Sequence, residues 1–157
     1  MYMRKATIHD VPVLVELRKK QLLDEGLPPM PIANIDMSID KQLADYFSAS
    51  ISDGSFISWI AEVDGEIIAT SGVCFYSLPP NYSNPSGGNA YITNMYTKDE
   101  YRRKGIATEL LRLVINEAQA RGYKVIRLHT SEYGKSIYEN AGFTYSEGYM
   151  ALRLGGK

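Results

Sequence analysis

Apolar positions change their period several times along the chain. MYMRKATI alternates loosely and predicts a first strand. Val11, Leu14, Val15, Leu17, Leu22 and Leu23 then recur at helical spacing, with Asp10 placed as N-cap and Pro12 tolerated in the first turn. Gly26 and LPPMP end that helix, and GLPPMPIANIDM reads as an exposed irregular loop. Ser38 to Ser52 predicts a second helix with Ile39, Leu43, Tyr46, Phe47 and Ile51 on one side. FISWIAEV and EIIATSGVCFY, joined by Asp64-Gly65, predict a hairpin with a type I′ turn. Phe56 and Trp59 fall within it as core residues.

LPPNYSNPSGG, residues 78–88, is a second long loop rich in turn chemistry, and NAYITNMYT returns to strand character. From Gly105 to Arg121 the pattern is again helical: Ile106, Leu110, Leu113, Val114 and Ala118 share a face, and Gly122 follows as a C′ residue. Glu117 and Arg121 stand at i, i+4 on the polar side. KVIRLHT predicts a strand, Ser136 to Asn140 part of a short helix ended by Gly142, and FTYSEGYMALRL a terminal hairpin before a frayed GGK. One strand, two helices, a hairpin, then strand, helix, strand, helix, strand make a mixed sheet flanked by helices in one domain, 1–157.

Composition narrows the function. The 157 residues are 45% apolar and 22% charged, with a formal net charge of −1. That balance suits one globular domain and excludes a generally basic nucleic-acid binder, so an anion site has to be local. Cys74 is the only cysteine, which rules out an intrachain disulfide and a cysteine-based metal cluster. With no apolar run of membrane-spanning length and no hydrophobic signal core, the expected location is the cytoplasm.

One stretch works against simple stability. In YRRKGIAT, residues 101–108, Arg102, Arg103 and Lys104 crowd the start of a helix, where the dipole disfavours cations. Solvated surface cations can look like this. A preceding strand and an immediate Gly-Ile-Ala favour another reading, in which backbone N–H groups and Gly105 cradle an anion such as a pyrophosphate. The chain has no GxxxxGK[ST] and no GxGxxG after a strand, so neither a P-loop nor a dinucleotide site explains the cluster.

YITNMYTKDEYRRKGIATELL resembles the acetyl-CoA-binding core of the GCN5-related N-acetyltransferases. The family signature Q/R-x-x-G-x-G/A is matched by Arg102-Arg103-Lys104-Gly105-Ile106-Ala107. A second block, TSEYGKSIYENAGF, resembles the family's later motif, with Tyr138 at the tyrosine position and Gly142-Phe143 as the following pair. Seven residues before that tyrosine the family usually has asparagine, where this chain has Ser131.

The resemblance implies a single α/β (α+β) domain with a mixed, mostly antiparallel twisted sheet and about four helices. It implies an acetyl-CoA core at about 89–145, acetyl-CoA as acyl donor and no metal. The coenzyme would be held by the strand residues Met95, Tyr96 and Thr97, by the loop and first turn Arg102, Arg103, Lys104, Gly105, Ile106, Ala107 and Thr108, and by Ser131. Backbone N–H of Met95 or its neighbours would polarise the thioester, and Tyr138 would act as general acid on the leaving sulfur. The general base stays open among Glu62, Glu100, Glu132, His129 and a water relay. Cys74, in a β-rich run without a basic neighbour, reads as an inert thiol, which leaves direct transfer in a ternary complex.

The expected acceptor is a primary amine of a small molecule or an exposed peptide amino group, selected by loops 26–37 and 78–88. Those loops bring Met30, Ile35 and Tyr82 but no acidic cluster, which argues against polyamines and aminoglycosides. Nucleic acid and membrane are not expected partners. Members of the family often form homodimers, and no exposed apolar stripe decides the matter. The alternative is a coenzyme A-binding regulatory module without turnover, to which the Ser131 departure lends support.

Overall fold

Five strands take their places in the sheet in the order in which they occur in the chain. β1 (Tyr2–Lys5), β2 (Phe56–Val63), β3 (Glu66–Ser77) and β4 (Gly88–Thr97) pair antiparallel, and β5 (Ile126–Leu128) pairs parallel to β4. The helices are α1 (Val11–Asp24), α2 (Ile39–Asp53), α3 (Ile106–Ala120) and α4 (Lys135–Asn140). The structure, a computed structural model, describes residues 1–26, 39–146, 148 and 150–154. The predicted loop 26–37 beyond Gly26, with Met30 and Ile35, lies outside the described residues, as do Ser38 and the GGK tail.

Strand alternation explains the layers. Phe56 and Ile60 of β2 join Val11, Leu14, Val15 and Leu17 of α1 and Phe47 of α2 on one face. Ile57, Trp59 and Ala61, on the alternate positions, join Leu110, Leu111, Val114 and Ala118 of α3 on the other. Antiparallel β2–β3 closes through Asp64 and Gly65, both at positive φ (51° and 80°), as a type I′ turn needs. Gly72 makes room for the Phe56 ring, since a Cβ there would stand 2.4 Å from Phe56 Cζ.

α3 ends in a Schellman motif. Gly122 is at φ 83°, its N–H bonds Gln119 O at 2.9 Å, and Tyr123 N–H bonds Ala118 O at 3.1 Å. The expected Glu117–Arg121 pair forms at 3.3 Å, and Lys5 joins it at 2.8 Å.

Three local expectations give way. Asp10 stands at the N-cap position of α1 but makes no side-chain cap there. Its carboxylate instead accepts Thr7 N–H at 2.7 Å and Arg4 Nη1 at 2.8 Å, closing a capping box around the 3₁₀ turn Ile8–Asp10. The strand predicted over KVIRLHT contracts to Ile126–Leu128. The terminal hairpin is absent from the described part of FTYSEGYMALRL: residues 143–146, 148 and 150–154 carry no strand. Tyr145, Met150, Leu152 and Leu154 are exposed there, so alternation of apolar residues found no sheet edge to bury against.

Candidate active site

β4 and β5 part company within the sheet. Their pairing covers Ala90–Ile126, Tyr91–Arg127 and Ile92–Leu128, and β4 then continues to Thr97. From Thr93 onward its β5-side edge has no strand partner among the described residues. Against β3 the register slips between Thr70 and Gly72, and Asn94 takes a left-handed φ of 56° at the slip. Asn94 Nδ2 and Ser71 Oγ are both buried at the slip without a hydrogen-bond partner among the described residues.

The gap opens into a cleft of about 1140 Å³ between α1, β4, the start of α3 and the 129–138 segment. Met95, Tyr96 and Thr97 line one wall. Arg102, Arg103 and Gly105 through Thr108 line the end, and Ser131 and Tyr138 the far side. Lys104 is the one expected site residue that does not line it. Its Nζ donates to Glu100 O at 3.0 Å and lies 5.2 Å from the Tyr101 ring centre.

Gly105 is the N-cap of α3, at φ 78°, and brings no capping side chain. Glu109 N–H makes the first helical bond, to Gly105 O, so the N–H groups of Ile106, Ala107 and Thr108 precede any helical acceptor. A Cβ on Gly105 would meet nothing within 4 Å. Glycine is therefore demanded by the backbone angle, while the space before it stays open to a ligand.

The three cations are not equivalent. Arg102 donates to Thr97 O at 2.8 Å and to Asp24 Oδ2 at 2.6 Å, and pairs with Asp99 at 2.9 Å. It ties α1 to the end of β4 and is already neutralised, contrary to the simple picture of three charges awaiting a phosphate. Arg103, exposed at φ 59°, has no ion-pair partner among the described residues.

Tyr138 is 9% exposed. Burial, helped by the charge of Glu25 and by Tyr91, pushes its phenol up to about 12. The Gly-Phe pair explains how the ring is held. Gly142, at φ 96°, is the C′ residue of α4, and Phe143 N–H bonds Tyr138 O at 3.0 Å. Phe143 then packs edge-on against Tyr138 with ring centres 5.9 Å apart, the C″-to-C3 contact of a Schellman motif. On the other side, Gly134 leaves space for the ring: a Cβ there would come within 2.9 Å of it. Ser131 is engaged in the same turn, its Oγ accepting Gly134 N–H at 3.3 Å.

Of the candidate bases, only His129 lines the cleft, with its ring edge-on to Tyr91 at 5.8 Å. Glu62 is paired with Arg4 at 3.2 Å on β2, and Glu100 and Glu132 lie outside the lining. Cys74 is also outside it. Its Sγ is 3.1 Å from Tyr46 Oη, and burial raises the thiol above its ordinary value, only partly offset by Tyr46 and Arg18. No residue of 78–88 lines the cleft. Sequence reasoning missed Arg18, Gln21 and Asp24, which α1 contributes, and Glu25, its C-cap residue.

The Acetyltransferase (GNAT) family profile matches residues 19–143, and the chain belongs to this family. A predicted acetyltransferase from Clostridium acetobutylicum, solved with acetyl-CoA, is 41% identical, with TM-score 0.89 over 98% of this chain and 96% of that one. A GCN5-related N-acetyltransferase from Ralstonia eutropha JMP134 shares the fold with TM-score 0.87 at 24% identity, over 99% of both chains. The thialysine N-epsilon-acetyltransferase of Mus musculus is 28% identical over 102 residues, 61% of this chain and 58% of its own. N-acetyltransferase 8 of Homo sapiens is 25% identical over 112 residues, 69% of this chain and 48% of its own. The chain spans about half the length of these curated relatives. Family and relatives together support acetyl transfer as the class of chemistry. No helix among the described residues is long and apolar enough to cross a membrane.

Proposed function

We propose that the protein moves an acetyl group from acetyl-CoA to a primary amine by direct transfer within a ternary complex. The observation that carries this reading is the edge of β4, without a strand partner among the described residues, that runs from the Asn94 bulge to the helix N-terminus at Gly105, which has no side-chain cap. An extended pantetheine arm would add to the edge like a strand, through the backbone of Met95 to Thr97. The N–H groups of Ile106, Ala107 and Thr108 would receive the pyrophosphate. Arg103 supplies the uncommitted positive charge at that end, and Arg102 braces the wall.

In the reaction, the amine nitrogen attacks the thioester carbon, the C–S bond breaks and coenzyme A leaves as thiolate. Backbone N–H groups near Met95 stabilise the developing oxyanion. Tyr138 keeps its proton at neutral pH, so its hydroxyl is a hydrogen-bond donor to the departing sulfur. Tyr138 then acts as general acid on the sulfur, while the ammonium formed on attack loses a proton as the amide forms. Cys74, away from the cleft with its thiol raised, takes no part.

Calorimetric titration with acetyl-CoA, with NAD and ATP as controls, tests the site, and thiol release with an amine panel tests the reaction. Saturable binding of acetyl-CoA alone together with amine-dependent thiol release is the expected outcome. Absence of binding overturns the assignment of the cleft. Binding without turnover of any amine would instead favour a coenzyme A-binding regulatory module.

A further inference from the structure

The inward stripe of α1 changes character half-way along. Val11, Leu14 and Val15 are buried in the core, and the same face continues at helical spacing through Arg18 and Gln21 to the exposed C-cap residue Glu25, all three lining the cleft. Polar residues on the inward face of a helix need partners. Arg18 Nη1 donates to Gln21 Oε1 at 3.0 Å, and Gln21 Nε2 donates to Glu25 Oε1 at 2.9 Å. Gln21 is 8% exposed, so a buried amide fixes a cation on one side and a carboxylate on the other. Arg18 has no ion-pair partner among the described residues, unlike Arg102 at the other end of the cleft. Among the described residues only Gln21 Oε1 accepts from its guanidinium, whose other donors face the cleft's ligand.

Resting on the acetyl-transfer reading above, we propose that Arg18, Gln21 and Glu25 form the acceptor subsite. The acceptor is a primary amine carrying an anionic group, carboxylate or phosphate, which Arg18 holds while Glu25 faces the amine. The planar fork of arginine matches either oxyanion bidentately. Arg18 and Glu25 stand two helical turns apart, about 10 Å along the axis, which suits an amine and an acid several bonds apart. That orientation agrees with which charge is felt at which wall. Glu25 acts on Tyr138, the proposed donor to sulfur, whereas Arg18 acts on Tyr91 and Cys74. A polycationic acceptor would meet Arg18 as a like charge.

The test compares 5-aminopentanoate, 3-aminopropyl phosphate and pentylamine, which lacks the acidic group, in thiol release, with wild type, Arg18→Gln and Arg18→Lys. Acetyl-CoA titration of each variant shows that it is folded and binds the donor. One or both acidic amines should exceed pentylamine in kcat/KM by about 10- to 100-fold, mainly through KM, the scale of a charge-assisted hydrogen bond. Arg18→Gln should abolish most of that preference and Arg18→Lys should restore part of it. The carboxylate and phosphate arms then tell the two oxyanions apart. Equal or better use of pentylamine, or an equal loss on all three amines in Arg18→Gln, would overturn the inference while leaving acetyl transfer standing. Failure of wild type to bind acetyl-CoA would instead remove the parent reading. If the donor binds and none of the three amines reacts, titration of the acidic amines into the coenzyme A complex decides: binding lost in Arg18→Gln supports the subsite, and no binding by wild type overturns it.

Discussion

Two glycines of α3 permit an internally controlled perturbation. Gly105, before the helix, and Gly122, after it, have nearly the same φ, 78° and 83°, and a Cβ on either would meet nothing within 4 Å. Alanine at either position therefore costs only the left-handed backbone, about 1–2 kcal/mol. For a chain of this length that lowers Tm by about 2–8 °C. The two differ in what lies before them, since Gly105 lines the cleft and Gly122 does not. A methyl group at 105 would stand where an anion must approach the N–H groups of the first turn of α3. Loss of one charge-assisted bond, about 1.5–3 kcal/mol, weakens acetyl-CoA binding by about 10- to 150-fold. Thermal melts and calorimetric titration of Gly105→Ala and Gly122→Ala read both quantities. Similar stability losses with a binding loss confined to Gly105→Ala are expected. Equal affinities for acetyl-CoA in the two variants would refute the assignment of the cradle to this helix start.

Tyr138→Phe should keep acetyl-CoA affinity and slow turnover by about 10- to 100-fold, the worth of one hydrogen bond to a developing thiolate; unchanged kcat would reduce Tyr138 to a packing residue. Asp10 is held at about 2, chiefly by its hydrogen bonds from Arg4, against an ordinary value of 3.8. Its contribution, about 2 kcal/mol, is full above about pH 4 and lost as pH falls towards 2. Asp10→Asn should thus be less stable than wild type at pH 7, and the gap in urea melts should close between pH 4 and pH 2; a gap constant with pH would show that the charge is not the cause. Gly72→Ala drives a methyl into the Phe56 ring and should destabilise by about 1–3 kcal/mol, with Phe56→Leu in the same chain relieving most of it. Additive effects of the two substitutions would show that no such contact exists.

The sequence by itself determined whatever depends on neighbours along the chain. Period-two and helical spacing located the four helices and the hairpin, because those elements satisfy their own backbone. Asp64-Gly65, Gly105, Gly122 and Gly142 marked turns and helix ends, because positive φ selects residue type locally. The Tyr138-to-Phe143 block was legible for the same reason: a helix end and the ring it clamps lie within six positions. In the described part of FTYSEGYMALRL alternation misled, because period-two spacing makes a strand only where packing covers one face, and Tyr145, Met150, Leu152 and Leu154 stay exposed. Tertiary structure alone decided the rest. The partner of Arg102 is Asp24, 78 positions away, so a cation that looked free was already neutralised. The parting of β4 from β5 arises from a three-residue parallel pairing and a bulge at Asn94, neither of which has a periodic signature. Arg18, Gln21 and Glu25 carry no signal of their own in the sequence, and only the packing of Val11, Leu14 and Val15 turns that face over the cleft.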